Sequence, residues 1–364
     1  MNQSTLATDV REVAWKRDAV RLAERLARFP REQLLTGATP LQPMRRLSGY
    51  LGGPEVWVKR DDLTGLTFGG NKVRQMEFFV GDALAKGADV YVAGGSYAQS
   101  NHARIASAAA RAAGLEPVIV VRPGGRVRHS GGNALLVHLL CDDVRVCPEL
   151  ADAPSDRLAE VAARRSVFDR IAAEYRARGR KPYCLYGSSI PLGVMGYVAA
   201  TIELQHQFDE AGIKADWVVV TSLGSTQAGL ELGTRILQLP WRVCGMAYMP
   251  TGGQGNNPIA RLINEAAKLL GVAISVTPAD LANRDEWSGP EYAASSMQSQ
   301  EAMRLAAATE ALILDPHYSA KGMAGLIGAV RTDFFQAGET VVFIHTGGQP
   351  ALFAYDEEPA SDGD

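Results

Sequence analysis

The sequence predicts an α/β fold: open, mostly parallel sheets flanked by helices. Three observations carry this. Continuous apolar, β-branched runs recur along the chain, most runs end in a Gly-rich turn, and most turns open a helical pattern. Strands buried on both faces read as unbroken Val/Ile runs, and a strand that must return parallel needs a helical crossover.

The elements follow in order. Residues 9–28, DVREVAWKRDAVRLAERLAR, read as a charged amphipathic helix, broken at Pro30. TGATPLQPMRRLSGYLGG has the Gly/Pro punctuation of a loop followed by a short helix. EVWVKRDD is a short strand ending in charges, and VYVAGG is a strand closed by a glycine turn. SNHARIASAAARAAGL is a small-residue helix stopped by Gly114, and EPVIVVRPGG is another strand. The cycle returns at WVVVTSLGSTQAGLELGTRIL, VCGMAYM and TVVFIHTGG. The tail 356–364 is acidic and expected to be disordered.

Composition excludes several classes. With 364 residues, 46% hydrophobic and 21% charged, the chain suits two globular units. A net charge of -3 gives no basic footprint for nucleic acid. No apolar run approaches the ~20 residues of a membrane span, and the start lacks the apolar stretch of a secretion signal, so a cytoplasmic protein is expected. Cys141, Cys147, Cys184 and Cys244 show neither CxxC pairing nor metal spacing, which implies free thiols and no metal site.

Ligands of such folds bind beyond the carboxyl ends of strands, so the chemistry is sought in the turns. In 222–229, SLGSTQAG, small residues at a helix start offer converging amides for an anion. The turn is neither a Walker A loop nor GxGxxG, and a single compact phosphate fits it best; a tight turn that binds nothing is the plain alternative. In 99–104, QSNHAR, Ser100 and Asn101 suit helix capping, and the turn also suits a carboxylate. In 345–350, HTGGQP, Thr346 can bond a ring nitrogen. In 314–326, Tyr318 precedes a helix, while His317 and Lys321 have no evident partner. In 68–74, FGGNKVR, Lys72 follows two glycines that let backbone approach a ligand. A lysine that forms a Schiff base must lose its proton, which burial and positive neighbours such as Arg60 and Arg74 would favour. Lysine, phosphate cup and a hydroxyl for a ring nitrogen together match pyridoxal 5′-phosphate.

At these residues the chain resembles the D-cysteine desulfhydrase and 1-aminocyclopropane-1-carboxylate deaminase family, within the tryptophan-synthase-β-like, fold type II, pyridoxal-phosphate enzymes. The matching text is FPREQLLTGATPL, VKRDDLTGLTFGGNKVR, QSNHAR, GSTQAGL, LDPHYSAKGMAGLI and FIHTGGQPALFAY, spanning about Phe29 to Tyr355. The resemblance implies a larger cofactor-binding unit of residues 29–85 and 195–355, a smaller unit of 86–194, and an N-terminal helical extension, 1–28. It implies that Lys72 holds the cofactor and carries protons, and that Ser100 meets the substrate beside its carboxylate, with Gln99, Asn101 and His102 in the same turn. Asn101 contacts the cofactor ring, Gly224, Ser225, Thr226 and Gln227 form the phosphate loop, and Thr346 lies near the ring nitrogen. Tyr318 and Tyr292 match two active-site tyrosines. Ser319 stands where the cyclopropane deaminases usually have glutamate, which favours the desulfhydrase branch.

Departures from the family pattern point to a shifted substrate. Gln75 replaces a lysine thought to help hold the phosphate. The turn before QSN is two residues longer, near Ser96 and Tyr97. GSSIPLG at 187–193 and YAAS at 292–295 replace GGSNxLG and YGVP. The expected activity is a lyase reaction, β-elimination from a small D-amino acid such as D-cysteine, by a homodimer. Ring-opening deamination, β-replacement and racemization remain open on the same scaffold, as does a binding protein that keeps the cofactor without turnover.

Overall fold

The structure, a computed structural model of the chain, describes residues 3–95, 99–123, 131–150, 157–187, 189–221, 223–292 and 294–354, with backbone alone at 3–13 and 157–162. The expected acidic tail, Ser96 and Tyr97 lie outside the described residues.

Helix α1 (Gln3–Leu26) leads to β1 (Leu41–Pro43), α2 (Arg45–Leu51), β2 (Glu55–Lys59) and α3 (Lys72–Ala85). Then come β3 (Val90–Gly95), α4 (Asn101–Ala112), β4 (Glu116–Val121), α5 (Gly132–Leu140), β5 (Asp143–Val146), α6 (Arg157–Ala177) and β6 (Pro182–Leu185). The chain continues through α7 (Pro191–Ala211), β7 (Trp217–Thr221), α8 (Ser225–Ile236), β8 (Arg242–Met246), α9 (Asn256–Leu270), β9 (Ala282–Arg284), α10 (Met297–Glu310), α11 (Ser319–Arg331) and β10 (Thr340–Ile344).

The strands form two sheets. One has the order β1-β2-β10-β7-β8-β9, parallel except for β1 against β2; the other, β5-β4-β3-β6, is parallel throughout. The expected mostly parallel α/β architecture is what the chain adopts. Every residue of β3 and β7 is buried, as the unbroken apolar runs require of strands covered on both faces. Met323, Ala324 and Ile327 of α11 pack on one face of the larger sheet, and Tyr197, Ala200 and Leu204 of α7 on the other. On the smaller sheet, α3 lays Val73, Met76, Phe79 and Ala83 beside Ala103, Ala106 and Ala110 of α4. The alanines let α4 lie close to β3 and β4, so the start of α4 is brought to the carboxyl end of β3.

Helix α1 packs within its own chain. Trp15, Ala19, Leu22 and Leu26, spaced for one helix face, are buried in the cluster that holds α7 and α9. Arg25 and Arg28 donate to the carbonyls of Leu270 and Gly271 at the end of α9, at 2.8 to 3.3 Å. Cations there also complement the helix dipole.

Candidate active site

The loop before α3 explains the glycines that precede Lys72. Thr67 and Phe68 have φ of 41° and 65°, and Gly69 and Gly70 have 63° and 124°. A side chain on Gly69 would begin 2.0 Å from the Asp62 carbonyl oxygen, so only glycine lets the chain double back here. The turn is held from several sides. Asn71 N–H donates to the Thr346 carbonyl (3.0 Å) and Gly70 N–H to Thr64 Oγ1 (2.8 Å). Arg104, fully buried on α4, donates to the carbonyls of Thr67 and Gly69 and to Asn133 Oδ1 (2.7 Å). Lys72 thus becomes the first residue of α3, in the wall of a cleft that encloses about 980 Å³, open solvent at its mouth included.

Burial pulls the Lys72 amine down to about 8. The positive neighbours expected from the sequence play no part. Arg74 points away and forms two-pronged contacts with Asp61 (2.9 and 2.8 Å) and Glu203 (2.8 and 2.9 Å), while Arg60 pairs with Asp62. Lys59 Nζ (2.5 Å to Glu203 Oε1) and Tyr197 OH (2.5 Å to Asp61 Oδ2) complete this buried network. Its Arg74 holds Asp61 at about 2, and the network fixes α3 from behind.

Thr226 is the hub of the opposite wall. Its Oγ1 accepts from Asn71 Nδ2 at 2.8 Å and from Gln75 Nε2 at 3.3 Å, and Lys72 Nζ lies 3.5 Å from Gln75 Oε1. Gln75 therefore bridges the lysine and the start of α8, where Gly224, Ser225 and Thr226 line the cleft. Gln227 does not: its side chain is turned away and donates to Asn283 Oδ1 on β9. A residue three positions into a helix start faces a different side from its neighbours.

The start of α4 forms another part of the wall, with Ser100, Asn101 and His102 lining it. Ser100 Oγ caps α4 by accepting from Ala103 N–H (3.2 Å), and Asn101 Oδ1 accepts from Asn133 Nδ2 (2.9 Å). His102 is driven down to about 3 by burial and by the charges of Lys72 and Arg164, so it stays neutral. Gln99 is absent from the lining. It spans backward, donating to the Gly131 carbonyl (2.9 Å) and accepting from Asn133 N–H (2.8 Å), and so fixes the loop behind the site.

Across the cleft stand Tyr318 and Tyr292, hydroxyls 2.5 Å apart. Asp315 orders this corner by accepting from the backbone N–H of His317, Tyr318 and Ser319. Burial and the neighbouring tyrosines raise Tyr318 well above its usual pKa, which keeps its hydroxyl protonated at neutral pH. Ser319 is fully buried and its hydroxyl bonds Asp315 Oδ1 at 2.6 Å, beneath the cleft rather than in it. The partners missing from the sequence reading appear here. Lys321 Nζ donates to the carbonyls of Tyr248 and Glu291, both at 2.9 Å, and the His317 ring lies parallel to Tyr292 at 6.3 Å. Thr346 lines the cleft at the end of β10. His345 beneath it accepts from Gly347 N–H at Nδ1, which leaves Nε2 to donate to the Ile313 carbonyl at 2.9 Å.

Among the lining residues that escaped the sequence reading are Thr221, Tyr248 and Arg164. Thr221 and Tyr248 end strand patterns, so the strand-end rule that found Thr346 reaches them too. Arg164 sits on a helix face and carries no local signal. Of the departures noted above, Gln75 reaches to 3.5 Å from Lys72 Nζ, while the altered segments 187–193 and 292–295 line the cleft through Gly187, Ser189 and Tyr292, residues that themselves match the family pattern.

The lining fits pyridoxal 5′-phosphate. It holds Ser225 and Thr226 hydroxyls at a helix start for a phosphate, a lysine with a lowered pKa, and a threonine hydroxyl at the end of β10. None of the lining residues is Asp or Glu.

Comparison with known proteins agrees. The family described as "Pyridoxal-phosphate dependent enzyme" matches residues 32–347. A 1-aminocyclopropane-1-carboxylate deaminase of Burkholderia cenocepacia is 38% identical, covering 91% of this chain and 97% of its own. A D-cysteine desulfhydrase of Yersinia enterocolitica is 37% identical, covering 92% and 98%. A crystal structure described as an ACC deaminase homologue superposes with a TM-score of 0.79 at 38% identity, covering 91% of this chain and 96% of the other. A pyridoxal 5′-phosphate-dependent aspartate racemase shares the fold, with a TM-score of 0.58 at 17% identity over 91% of this chain and 94% of its own.

Proposed function

Because the chain belongs to the pyridoxal-phosphate dependent enzyme family, with pyridoxal 5′-phosphate as its cofactor, we propose that it is a lyase that eliminates a β-substituent from a small amino acid, giving pyruvate, ammonia and the leaving group. D-Cysteine is the first substrate to test. The observation that carries this reading is the placement of Lys72, an amine of lowered pKa, between the Thr226 hub and the Tyr292–Tyr318 pair.

When bound, the cofactor supplies an aldehyde for the substrate amine and a ring that draws off the electron pair left by the α-proton. The protein does the rest. Lys72 Nζ holds the cofactor covalently. With a pKa near 8, about a tenth of the amine is free base at pH 7, enough to attach and later to move a proton at the substrate α-carbon. The α8 start, Gly224 to Thr226, holds the phosphate, with Gln75 and Asn71 orienting Thr226. Asn101 and Thr346 orient the ring. A neutral hydroxyl near the ring nitrogen, in place of a carboxylate, favours elimination over transamination. The first amides of α4 and the Ser100 hydroxyl receive the α-carboxylate. Tyr318, kept protonated and hydrogen-bonded to Tyr292, donates a proton to the departing group.

Ser319 supports elimination over cyclopropane ring opening, since its hydroxyl is spent on Asp315 and offers nothing to the substrate. No helix of the described residues is long and apolar enough to cross a membrane. A cytoplasmic homodimer is the setting proposed, supported by family analogy alone. The test is a coupled assay for pyruvate and sulfide with D- and L-cysteine, beside an assay for 2-oxobutanoate from the cyclopropane substrate. Pyruvate and sulfide from D-cysteine support the reading. 2-Oxobutanoate alone overturns it in favour of ring opening, and no product from any of the three overturns it as well.

A further inference from the structure

Under the proposed function, on which this inference rests, two anionic groups occupy the cleft and two helix starts already serve them. The start of α8 takes the cofactor phosphate and the start of α4 takes the substrate α-carboxylate; first-turn amides lack intrahelical partners and carry partial positive charge. Lys72 is engaged in attachment. The wall also holds a guanidinium, that of Arg164 on α6.

Arg164 belongs to the substrate end. Gly94 and Gly95 close β3, and a side chain added at Gly95 would begin 2.6 Å from Ser100 Cβ, so this strand end abuts the carboxylate turn. A side chain added at Gly94 would begin 3.4 Å from Arg164 Nη1 and 2.9 Å from the Phe168 ring. A bare backbone at position 94 is what lets the guanidinium reach over the strand end to the cleft. Its field is felt at His102, the second residue of α4. The phosphate loop lies on the other wall, with Thr226.

We infer that the substrate carries a second negative charge besides its α-carboxylate, on or beside the β-substituent, and that Arg164 recognises it. An anionic β-substituent gains a charge-assisted, fork-shaped contact that a thiol or halide does not.

The test uses the cofactor-loaded full chain, with aspartate and asparagine of both hands as probes. The two have nearly the same size and differ by one charge. Dissociation constants are read by calorimetry and from the cofactor's visible band. Wild type should bind aspartate of one hand about ten- to a hundredfold tighter than the matching asparagine, the worth of one charge-assisted hydrogen bond. Arg164→Gln should abolish that preference and Arg164→Lys should keep part of it. No preference in wild type, or an equal preference in Arg164→Gln, overturns the inference. Borohydride trapping of cofactor at Lys72, run on the same samples, separates the two levels. Trapping without an aspartate preference ends this inference and leaves the proposed function in place. Absence of trapping ends the proposed function itself.

Discussion

Replacing Lys72 by Met should stabilise the cofactor-free protein at neutral pH. Burial takes the amine from its usual 10.5 to about 8. At pH 7 the folded protein must still hold a proton on a desolvated amine, a cost the unfolded chain does not meet. The difference between 10.5 and about 8, at about 1.4 kcal/mol per pH unit, sets an upper limit of about 3.5 kcal/mol. The sign follows from the folded pKa being the lower one. Below about 8 both states carry the proton and the penalty is complete. Between about 8 and 10.5 only the unfolded state binds it, so wild-type stability rises with pH. Met keeps the length and the helix propensity and removes the titration. Urea denaturation of both cofactor-free proteins from pH 6.5 to about 10 tests this. The variant should lead by about 1–3 kcal/mol at pH 7, with the gap narrowing as pH rises. A gap that stays constant with pH, or a wild type that leads at pH 7, refutes the claim that burial controls this amine.

Further expectations concern the groups around that lysine. Tyr318→Phe removes the 2.5 Å hydroxyl contact with Tyr292 and should lower kcat about a hundredfold or more while leaving cofactor attachment intact; an unchanged kcat assigns the proton transfer elsewhere. Gln75→Lys places a cation beside Thr226 and should tighten cofactor binding about tenfold in a fluorescence titration. No change would place the phosphate away from this corner. Arg104→Met leaves the Thr67 and Gly69 carbonyls and Asn133 Oδ1 without their donor. It should cost about 3 kcal/mol in urea denaturation, and a cost below about 1 kcal/mol would mean that the loop before Lys72 holds itself.

Much of the fold was legible because its central strands are apolar on both faces. β3, β4, β7, β8 and β10 announce themselves through runs such as VYVAGG and WVVVT. The middle of the chain was harder to read. β5 and β6 are four residues each and half-exposed, so neither shows a long apolar run nor a clean alternation. The expected unit boundary after residue 85 places α3 with the larger sheet, whereas Val73, Met76 and Phe79 pack with Tyr91 and Ile119 of the smaller one; a helix shared in this way leaves no break in composition. The candidate site was legible where a helix-opening turn carries an unusual residue, as at Lys72, Ser100, Thr226 and Tyr318, or where a strand end does, as at Thr346. Side-chain direction was not. Gln99 and Gln227 sit in the right turns and point away, and Arg164 reaches the cleft from a helix distant in sequence. The cause of the Lys72 shift was also hidden, since Arg74 is near in sequence yet committed to Asp61 and Glu203.

The central claim is that Lys72 carries the cofactor. The direct measurement is borohydride reduction of cofactor-supplied protein, followed by mass analysis of its peptides. A pyridoxyl-phosphate adduct should appear on the peptide containing Lys72 and vanish in Lys72→Met. Lys321 is the informative control, because burial also pulls its amine to about 8 while two backbone carbonyls hold it in place. An adduct on Lys321 or any other lysine instead, or none at all, would contradict the account.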